Sequence, residues 1–142
     1  HLDAGRDVAL LNLGDVSIYA TYGYLEEILT AQGYAAVRIA GVPSFCAAAA
    51  RLGQSLTGGM EQPLTIAPGR HVEQVLAAPG AKVLMKTGHR LPKTLDALRE
   101  WLLANSAMVC NCGLPDEAVF PVLTDYDPAQ EAGYFATILV KE

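Results

Sequence analysis

Two glycine-containing turns are the residues of this sequence best suited to chemistry. Gly14-Asp15 follows an apolar run at residues 8–13, and Gly41-Val42-Pro43-Ser44 follows a second apolar run at residues 35–39. A strand that stops at glycine lets its backbone approach a ligand, and open α/β sheets bind ligands at the carboxyl ends of their strands. Asp15 can accept hydrogen bonds from ribose hydroxyls. Together the turns predict a nucleotide-like cofactor site.

Each turn also has an ordinary interpretation. Asp15 can cap a strand-to-helix turn, and Ser44 stands where a helix N-cap belongs. The helix N-terminus after Pro43 would attract polar or anionic ligand groups in any case. Neither turn alone distinguishes a cofactor site from an ordinary structural turn.

No acid–base or nucleophilic constellation accompanies the turns. His71 and His89 fall in predicted loops or helix starts, and no histidine has metal-ligand spacing to Cys, Asp or Glu. Ser17 lacks the flanking glycines of a nucleophile elbow, and residues 125–128 lack the alternating ligands of a calcium loop. We therefore predict no catalytic residue and no metal ligand. An enzyme of this kind would position a reactive cofactor against a reactive substrate.

Three cysteines, Cys46, Cys110 and Cys112, make an odd count. The single residue between Cys110 and Cys112 is not the spacing of a zinc knuckle or a thioredoxin-like motif. We expect the side chains of these two cysteines to point apart. All three are predicted to be reduced, structural cysteines.

The composition is that of a folded domain. The chain has 142 residues, of which 51% are hydrophobic and 18% charged, with a net charge of −5. These values argue against disorder and against a nucleic-acid surface. No apolar run reaches the roughly 20 residues of a membrane span. The first residues of the chain do not have the pattern of a signal peptide, so we expect the protein in the cytoplasm.

Strand-like and helix-like segments alternate along the chain and predict an α/β sheet. Residues 91–105 give the clearest amphipathic helix, with leucines at helical spacing. The predicted strands are residues 8–13, 35–39, 62–67, 83–86, 108–111 and 135–141, and the predicted helices are residues 22–32, 44–52, 71–77 and 91–105.

The beginning of the chain is unusual for a domain, because the first strand arrives almost at once. Residues 8–32 have the pattern of the last strand and helix of a preceding unit, whereas residues 33–142 have the pattern of a self-contained one. We therefore expect the chain to be a fragment of a longer protein.

The sequence of the two turns resembles that of the tetrapyrrole methylases of cobalamin biosynthesis. Residues 13–19 are similar to the Gly-Asp-Pro-x-x-Tyr/Phe loop of that family, and residues 40–49 to its Pro-Gly-Val-x-Ser turn. Residues 83–86, 113–117 and 134–141 agree too. Within the family, the sequence looks most like the branch that methylates C-20 of precorrin-2 or its cobalt form.

The resemblance implies a two-domain α/β protein that holds S-adenosylmethionine between its domains and is commonly a homodimer. Residues 1–32 would be the last strand and helix of the first domain, and residues 33–142 a complete second α/β domain with a mixed sheet. A tetrapyrrole would be the substrate. The cofactor-binding residues implied are Leu13, Gly14, Asp15, Ile18, Tyr19, Pro43, Ser44, Met85, Lys86 and Leu114.

The sequence departs from the family pattern at three places. Val16 and Ala40 replace prolines of the two turns, and neither change removes a donor. The Gly-Pro-Gly loop of the family's first domain has no match. By the resemblance, the isolated chain would hold only part of the cofactor site and turn over little or no substrate.

Two other functions stay open at this point. One is another tetrapyrrole methylase of the same pathway, and the other is a non-catalytic dimerisation or regulatory module with the methylase C-terminal fold. The basic cluster of Lys86, His89, Arg90 and Lys93 is either a positive edge for substrate carboxylates or a solvated face.

Overall fold

The structure of the chain is a computed structural model, which describes residues 1–98, 100–130, 132 and 134–141, with backbone only at 89, 100 and 101. The chain divides into two compact units, residues 1–43 and residues 44–142. This division falls later than the predicted domain boundary at residues 32 and 33, which stays a prediction. Among the described residues, no helix combines the length and the apolar character needed to cross a membrane.

The first unit contains one α-helix, α1, at Tyr22–Ala31. Gly33 follows the helix with a φ of 83°, a left-handed conformation typical of glycine after a helix end. A short 3-10 turn at Leu2–Ala4 precedes it. The helix predicted for residues 22–32 is therefore confirmed.

The strands predicted for residues 8–13 and 35–39 are wrong for this structure. Neither segment has strand conformation, and their apolar side chains are exposed, Leu11 at 93% and Val37 at 86%. An apolar run becomes a strand only when a neighbouring strand pairs with its amides and carbonyls. The described part of the unit contains no strand that could do so.

The second unit is built on a mixed five-stranded sheet of order β1-β2-β5-β3-β4, which confirms the expected fold class. β1 pairs with β2 in parallel, and the other neighbours are antiparallel. The strands are β1 at Leu64–Pro68, β2 at Ala81–Met85, β3 at Ser106–Cys110, β4 at Ala118–Phe120 and β5 at Ala136–Val140.

Three of these strands end at one edge of the sheet. β5 is antiparallel to both β2 and β3, so β1, β2 and β3 all run in the same direction. The loops after Pro68, Met85 and Cys110 consequently lie along the same edge, where α/β sheets carry their ligands.

Helices cover both faces of the sheet. On one face, Leu84, Met108 and Ile138 pack in a core cluster with α3, Val72–Leu76, and α4, Leu91–Ala97. On the other face lies the helix α2, Ser44–Arg51, which contacts β5 and β3.

α2 spans Ser44–Arg51 and buries Phe45, Ala48 and Ala49. The strand residues that alternate with those of the core cluster, such as Val83 and Leu139, are also buried and point toward α2. Its alanines let the helix approach the sheet closely.

The single helix predicted for residues 91–105 is two helices, α4 and α5, the latter at Glu100–Ala104. Leu98 leaves the helical conformation with a ψ of 99°, and its side chain is only 1% exposed. Burial of this leucine outweighs the helical periodicity of the segment. β4 was not predicted from the sequence, and it has only three residues.

Candidate cofactor site

The two glycine turns meet within the first unit. One carboxylate oxygen of Asp15, Oδ2, accepts a hydrogen bond of 2.9 Å from the backbone N–H of Gly41. The other, Oδ1, accepts one of 2.8 Å from the backbone N–H of Ser17. The Asp15 carboxylate therefore joins its own turn to a turn 26 residues further along the chain.

Glycine is required where the two turns touch. Gly14 has a φ of 87°, in the left-handed region that glycine adopts without a Cβ clash. A Cβ on Gly41 would lie 2.4 Å from the carbonyl oxygen of Gly14 and 3.1 Å from its carbonyl carbon. The backbones of residues 14 and 41 can approach this closely only because position 41 has no side chain.

The hydrogen bonds also set the charge of Asp15. The backbone amides of Ser17 and Gly41 lower the pKa of this carboxyl below its ordinary value. Asp15 is therefore ionised at neutral pH. Backbone amides of both turns donate to this carboxylate, so Asp15 holds the two turns together. A hydrogen bond to ribose hydroxyls would be a second role of the same group.

The other predicted residues of the first unit flank these turns. Leu13 is 70% exposed and Tyr19 is 42% exposed, whereas Ile18 and Pro43 are half-buried. Tyr19 has a φ of 50°, a conformation uncommon outside glycine, and such backbone strain concentrates at functional sites. The turn therefore presents an exposed aliphatic and an exposed aromatic side chain beside its backbone.

The predicted residues of the second unit lie at or beside its sheet. Ser44 is the first residue of α2, so the helix includes it and the preceding Pro43 does not belong to the helix. Met85 is the buried last residue of β2, and Lys86 follows it, exposed, with a φ of 53°. Leu114 lies in the loop after β3. Met85, Lys86 and Leu114 thus share the edge where the parallel strands end.

The ends of β1 and β2 fit tightly at this edge. The hydroxyl of Thr87 is fully buried and donates a 3.2 Å hydrogen bond to the carbonyl oxygen of Ala136. A Cβ on Gly69 would come within 2.8 Å of the Thr87 methyl carbon Cγ2. Thr87 therefore fixes the backbone directly after Lys86.

Residues 111–117 form a hydrogen-bonded loop around Leu114. The Leu114 N–H donates to the carbonyl oxygen of Asn111 at 2.9 Å, and the Asn111 side-chain amide donates to Asp116 at 2.7 Å. The Gly113 N–H donates to Glu117 Oε2 at 2.8 Å, and Glu117 Oε1 pairs with Arg51 of α2. These bonds to Glu117 lower the pKa of its carboxyl.

Glu117 and Arg51 were not found from the sequence. Asn111 and Gly113 are residue types that adopt left-handed conformations, which is the signal that could have located the loop. Nothing in the sequence indicates that Arg51 would pair with a glutamate 66 residues away.

All three cysteines are free. Cys110 is the last residue of β3, and burial raises the pKa of its thiol to about 11, so it is protonated at neutral pH. Cys112 lies in the loop beyond the strand. The expectation that strand alternation makes these two thiols point apart is therefore wrong. Residues two apart in a strand share a face, and Cys112 lies outside the strand.

A model of the tetrapyrrole (corrin/porphyrin) methylases matches residues 1–125. The chain therefore belongs to the tetrapyrrole methylase family.

Curated relatives give a finer comparison. The chain is 35% identical over 126 residues to the cobalamin biosynthesis protein CobIJ of Mycobacterium tuberculosis, covering 85% of this chain and 24% of that protein. It is 31% identical over 144 residues to a precorrin-2 C(20)-methyltransferase of a Sinorhizobium species, covering 99% and 58%. It is 32% identical over 152 residues to a precorrin-4 C(11)-methyltransferase of Rhodococcus erythropolis, covering 96% and 61%. The chain thus spans less than two thirds of each relative.

Solved structures share the fold. A uroporphyrin-III-C-methyltransferase from Thermus thermophilus matches with a TM-score of 0.73 and 26% identity, covering 98% of this chain and 66% of that one. A uroporphyrin-III C-methyl transferase of the same organism, complexed with S-adenyl homocysteine, matches with a TM-score of 0.61 and 18% identity, covering 89% and 62%. The second match carries information on the fold alone.

Proposed function

We propose that the protein containing this chain transfers a methyl group from S-adenosylmethionine to a ring carbon of a tetrapyrrole in cobalamin biosynthesis. The observation that carries the proposal is the hydrogen bond from Gly41 to Asp15. It joins the two turns that were selected from the sequence as a cofactor site, in a chain that belongs to the tetrapyrrole methylase family.

The residues at the turns fit an adenosyl cofactor. Adenine and ribose are neutral, and the exposed side chains of Leu13 and Tyr19 offer apolar and aromatic surface beside polar backbone. The ionised Asp15 carboxylate places negative charge at the same turn, which suits a positively charged sulfonium. Leu13, Gly14, Asp15, Ile18, Tyr19, Pro43, Ser44, Met85, Lys86 and Leu114 are proposed to hold the cofactor.

The proposed chemistry requires positioning more than acid–base groups. S-adenosylmethionine supplies an electrophilic methyl group. The chain's own task is to hold sulfur, methyl and ring carbon in line and to exclude water. Rigid turns such as Gly14–Gly41 and the Thr87-fixed end of β2 serve that task, because in-line transfer tolerates little displacement.

The substrate within this class is proposed to be precorrin-2 or its cobalt form, methylated at C-20. Two observations support this proposal. The sequences of residues 83–86, 113–117 and 134–141 resemble that branch of the family, and one relative is named for the reaction. A second candidate is methylation of precorrin-4 at C-11, because a relative named for it is equally similar.

Tetrapyrrole intermediates carry many carboxylates, whereas this chain has a net charge of −5. Lys86, Arg90 and Lys93 are exposed on the segment that follows β2. We propose that they attract the substrate's carboxylates locally.

A direct test uses the gene product that contains these residues. Incubation with carbon-13 methyl-labelled S-adenosylmethionine and either precorrin-2 or precorrin-4, followed by NMR, maps the methylated carbon. Label at C-20 supports the first proposal, and label at C-11 supports the second. If S-adenosylhomocysteine neither binds in calorimetry nor protects against heat, that result contradicts the proposed methyl transfer and favours the non-catalytic dimerisation or regulatory module.

The assembly and the organisation of the whole protein are also proposals. We propose that residues 1–32 end a first methylase domain, that residues 33–142 form the second, and that the protein is a cytoplasmic homodimer. Three free cysteines fit a reducing compartment. Light scattering of the purified gene product at one subunit mass would contradict the dimer. Low-micromolar binding of S-adenosylmethionine by the 142-residue chain alone would contradict a partial site.

A further inference from the structure

We propose that Glu117, together with Arg51, is a positioning residue that fixes the Leu114 loop of the cofactor site. This inference rests on the proposed function, because it concerns how the same site is held in shape. Neither residue is among the predicted cofactor-binding residues, although Glu117 is the last residue of the segment 113–117 that resembles the family.

One carboxylate connects two separate elements. Glu117 Oε2 accepts the Gly113 N–H at 2.8 Å, and Oε1 lies 2.5 Å from Nε of Arg51. Arg51 is the last residue of α2, so the ion pair ties the loop to that helix. The Glu117 side chain is only 16% exposed, whereas that of Arg51 is 59% exposed. The glutamate is therefore the enclosed member of the pair.

The loop needs this support because of its backbone. Asn111 and Gly113 have φ values of 50° and 80°, in the left-handed region. A backbone amide that follows such a turn is not paired in a strand ladder, and Glu117 supplies its acceptor. The Glu117 N–H in turn donates to the carbonyl oxygen of Leu114 at 3.1 Å. The side chain of Glu117 thus bonds to Gly113, and its backbone N–H bonds to Leu114 itself.

The pair links two proposed cofactor contacts. α2 begins at Ser44 and ends at Arg51, and Ala48 packs it against the sheet with no exposed surface. A salt bridge to that helix holds Leu114 at a fixed distance from the element that carries Ser44.

The test measures binding of S-adenosylhomocysteine by titration calorimetry to the gene product that contains these residues. We expect Glu117→Ala to raise the Kd about tenfold and Arg51→Met about threefold, as for loss of a charge-assisted hydrogen bond. Arg51→Lys keeps the charge and should stay within about twofold. The matched control is Glu73→Gln, an exposed glutamate of α3. Its Kd should not change.

A second readout separates positioning from general stability. Glu117→Ala should speed hydrogen exchange of the Gly113 amide while the exchange of β2 and β5 amides stays the same. Unchanged Kd values in the Glu117 and Arg51 variants would overturn the positioning role, as would an affinity loss matched by a general loss of protection. If the unchanged protein does not bind S-adenosylhomocysteine, the proposed function fails instead, and the positioning role fails with it.

Discussion

Asp15 is the residue whose chemistry is best defined in the first unit. Its two oxygens accept the backbone N–H groups of Ser17 and Gly41, and those bonds lower the pKa of its carboxyl. A charged acceptor makes a stronger hydrogen bond than a neutral one, so the junction of the two turns depends on ionisation. The contact therefore carries a defined pH dependence.

The first prediction concerns that dependence. A carboxyl whose pKa is depressed by folding contributes stability above its unfolded value and loses it as the pH falls through the folded value. The Asp15–Gly41 contact should be constant from about pH 8 to pH 5 and disappear only below about pH 4. NMR of the Gly41 amide shift against pH measures it. Asp15→Asn should abolish the titration, and a midpoint above 4 would contradict the assignment.

Gly41 gives a second prediction at the same junction. In Gly41→Ala the new Cβ would meet the backbone of Gly14 at 2.4 Å, and backbone atoms cannot rotate away as a side chain can. Overpacking of this kind costs about 1–3 kcal/mol, so the amide at position 41 should exchange about fivefold faster or more.

The matched control for Gly41→Ala is Gly23→Ala. A Cβ on Gly23, within α1, would meet no atom within 4 Å. Alanine should stabilise that helix by about 0.5–1 kcal/mol and leave the exchange at position 41 unchanged. Equal exchange in both variants would show that the turns do not touch as described.

Residues of the site differ in how far the sequence reveals them. Gly14 and Gly41 could be predicted as turn residues because a glycine that follows an apolar run is a strong signal of a turn. Glu117 could not, because its role depends on a left-handed loop and on the place where α2 ends. A charged residue in a polar stretch has the same sequence pattern whether it is solvated or bonded to a backbone amide.

At the scale of elements, the packing of α2 on the sheet explains why this helix is rich in alanine. Ala48 and Ala49 are buried against the sheet, whereas Ala50 faces solvent. Small side chains on the buried face let the helix lie close to the strands. The helix could be predicted from its start and end residues, but its sheet-facing side follows only from the packing.

The third prediction uses the two faces of α2. Ala48→Leu should lower the free energy of unfolding by about 1–3 kcal/mol, because a fully buried site has no room for the larger side chain. Ala50→Leu, at an exposed position of the same helix, should change it by less than about 0.5 kcal/mol. Urea unfolding of the 142-residue chain measures both. Similar values for the two variants would contradict the orientation of the helix.

Other elements show where local sequence stops being informative. Residues 91–105 keep helical spacing throughout, yet the backbone leaves the helix at Leu98, where burial in the core decides the conformation. Residues 8–13 and 35–39 have strand composition without strand structure. Whether a segment forms a strand depends on a neighbouring strand that can pair with it. The sequence of the segment alone does not show whether such a neighbour is present.

At the scale of the whole molecule, the hydrophobic core belongs to residues 44–142. None of residues 1–43 is buried, whereas β2, β3 and β5 are buried along their whole length. Hydrophobic stabilisation grows with the apolar area removed from water, so the two units must differ in stability. The α/β class of the second unit was predictable for the same reason, because its own strands supply the pairing.

The last prediction follows from this uneven core. Amides of α1 should exchange at low opening free energy in the 142-residue chain, and those of β2 and β5 only on global unfolding. A chain of residues 44–142 should then unfold in urea with a midpoint and slope within about 10–15% of those of the 142-residue chain, because the slope reports the surface exposed on unfolding. A clearly lower midpoint for the shorter chain, or α1 protected as strongly as β5, would show that residues 1–43 contribute to the core. Exchange measured by mass spectrometry on both chains under the same conditions distinguishes these outcomes.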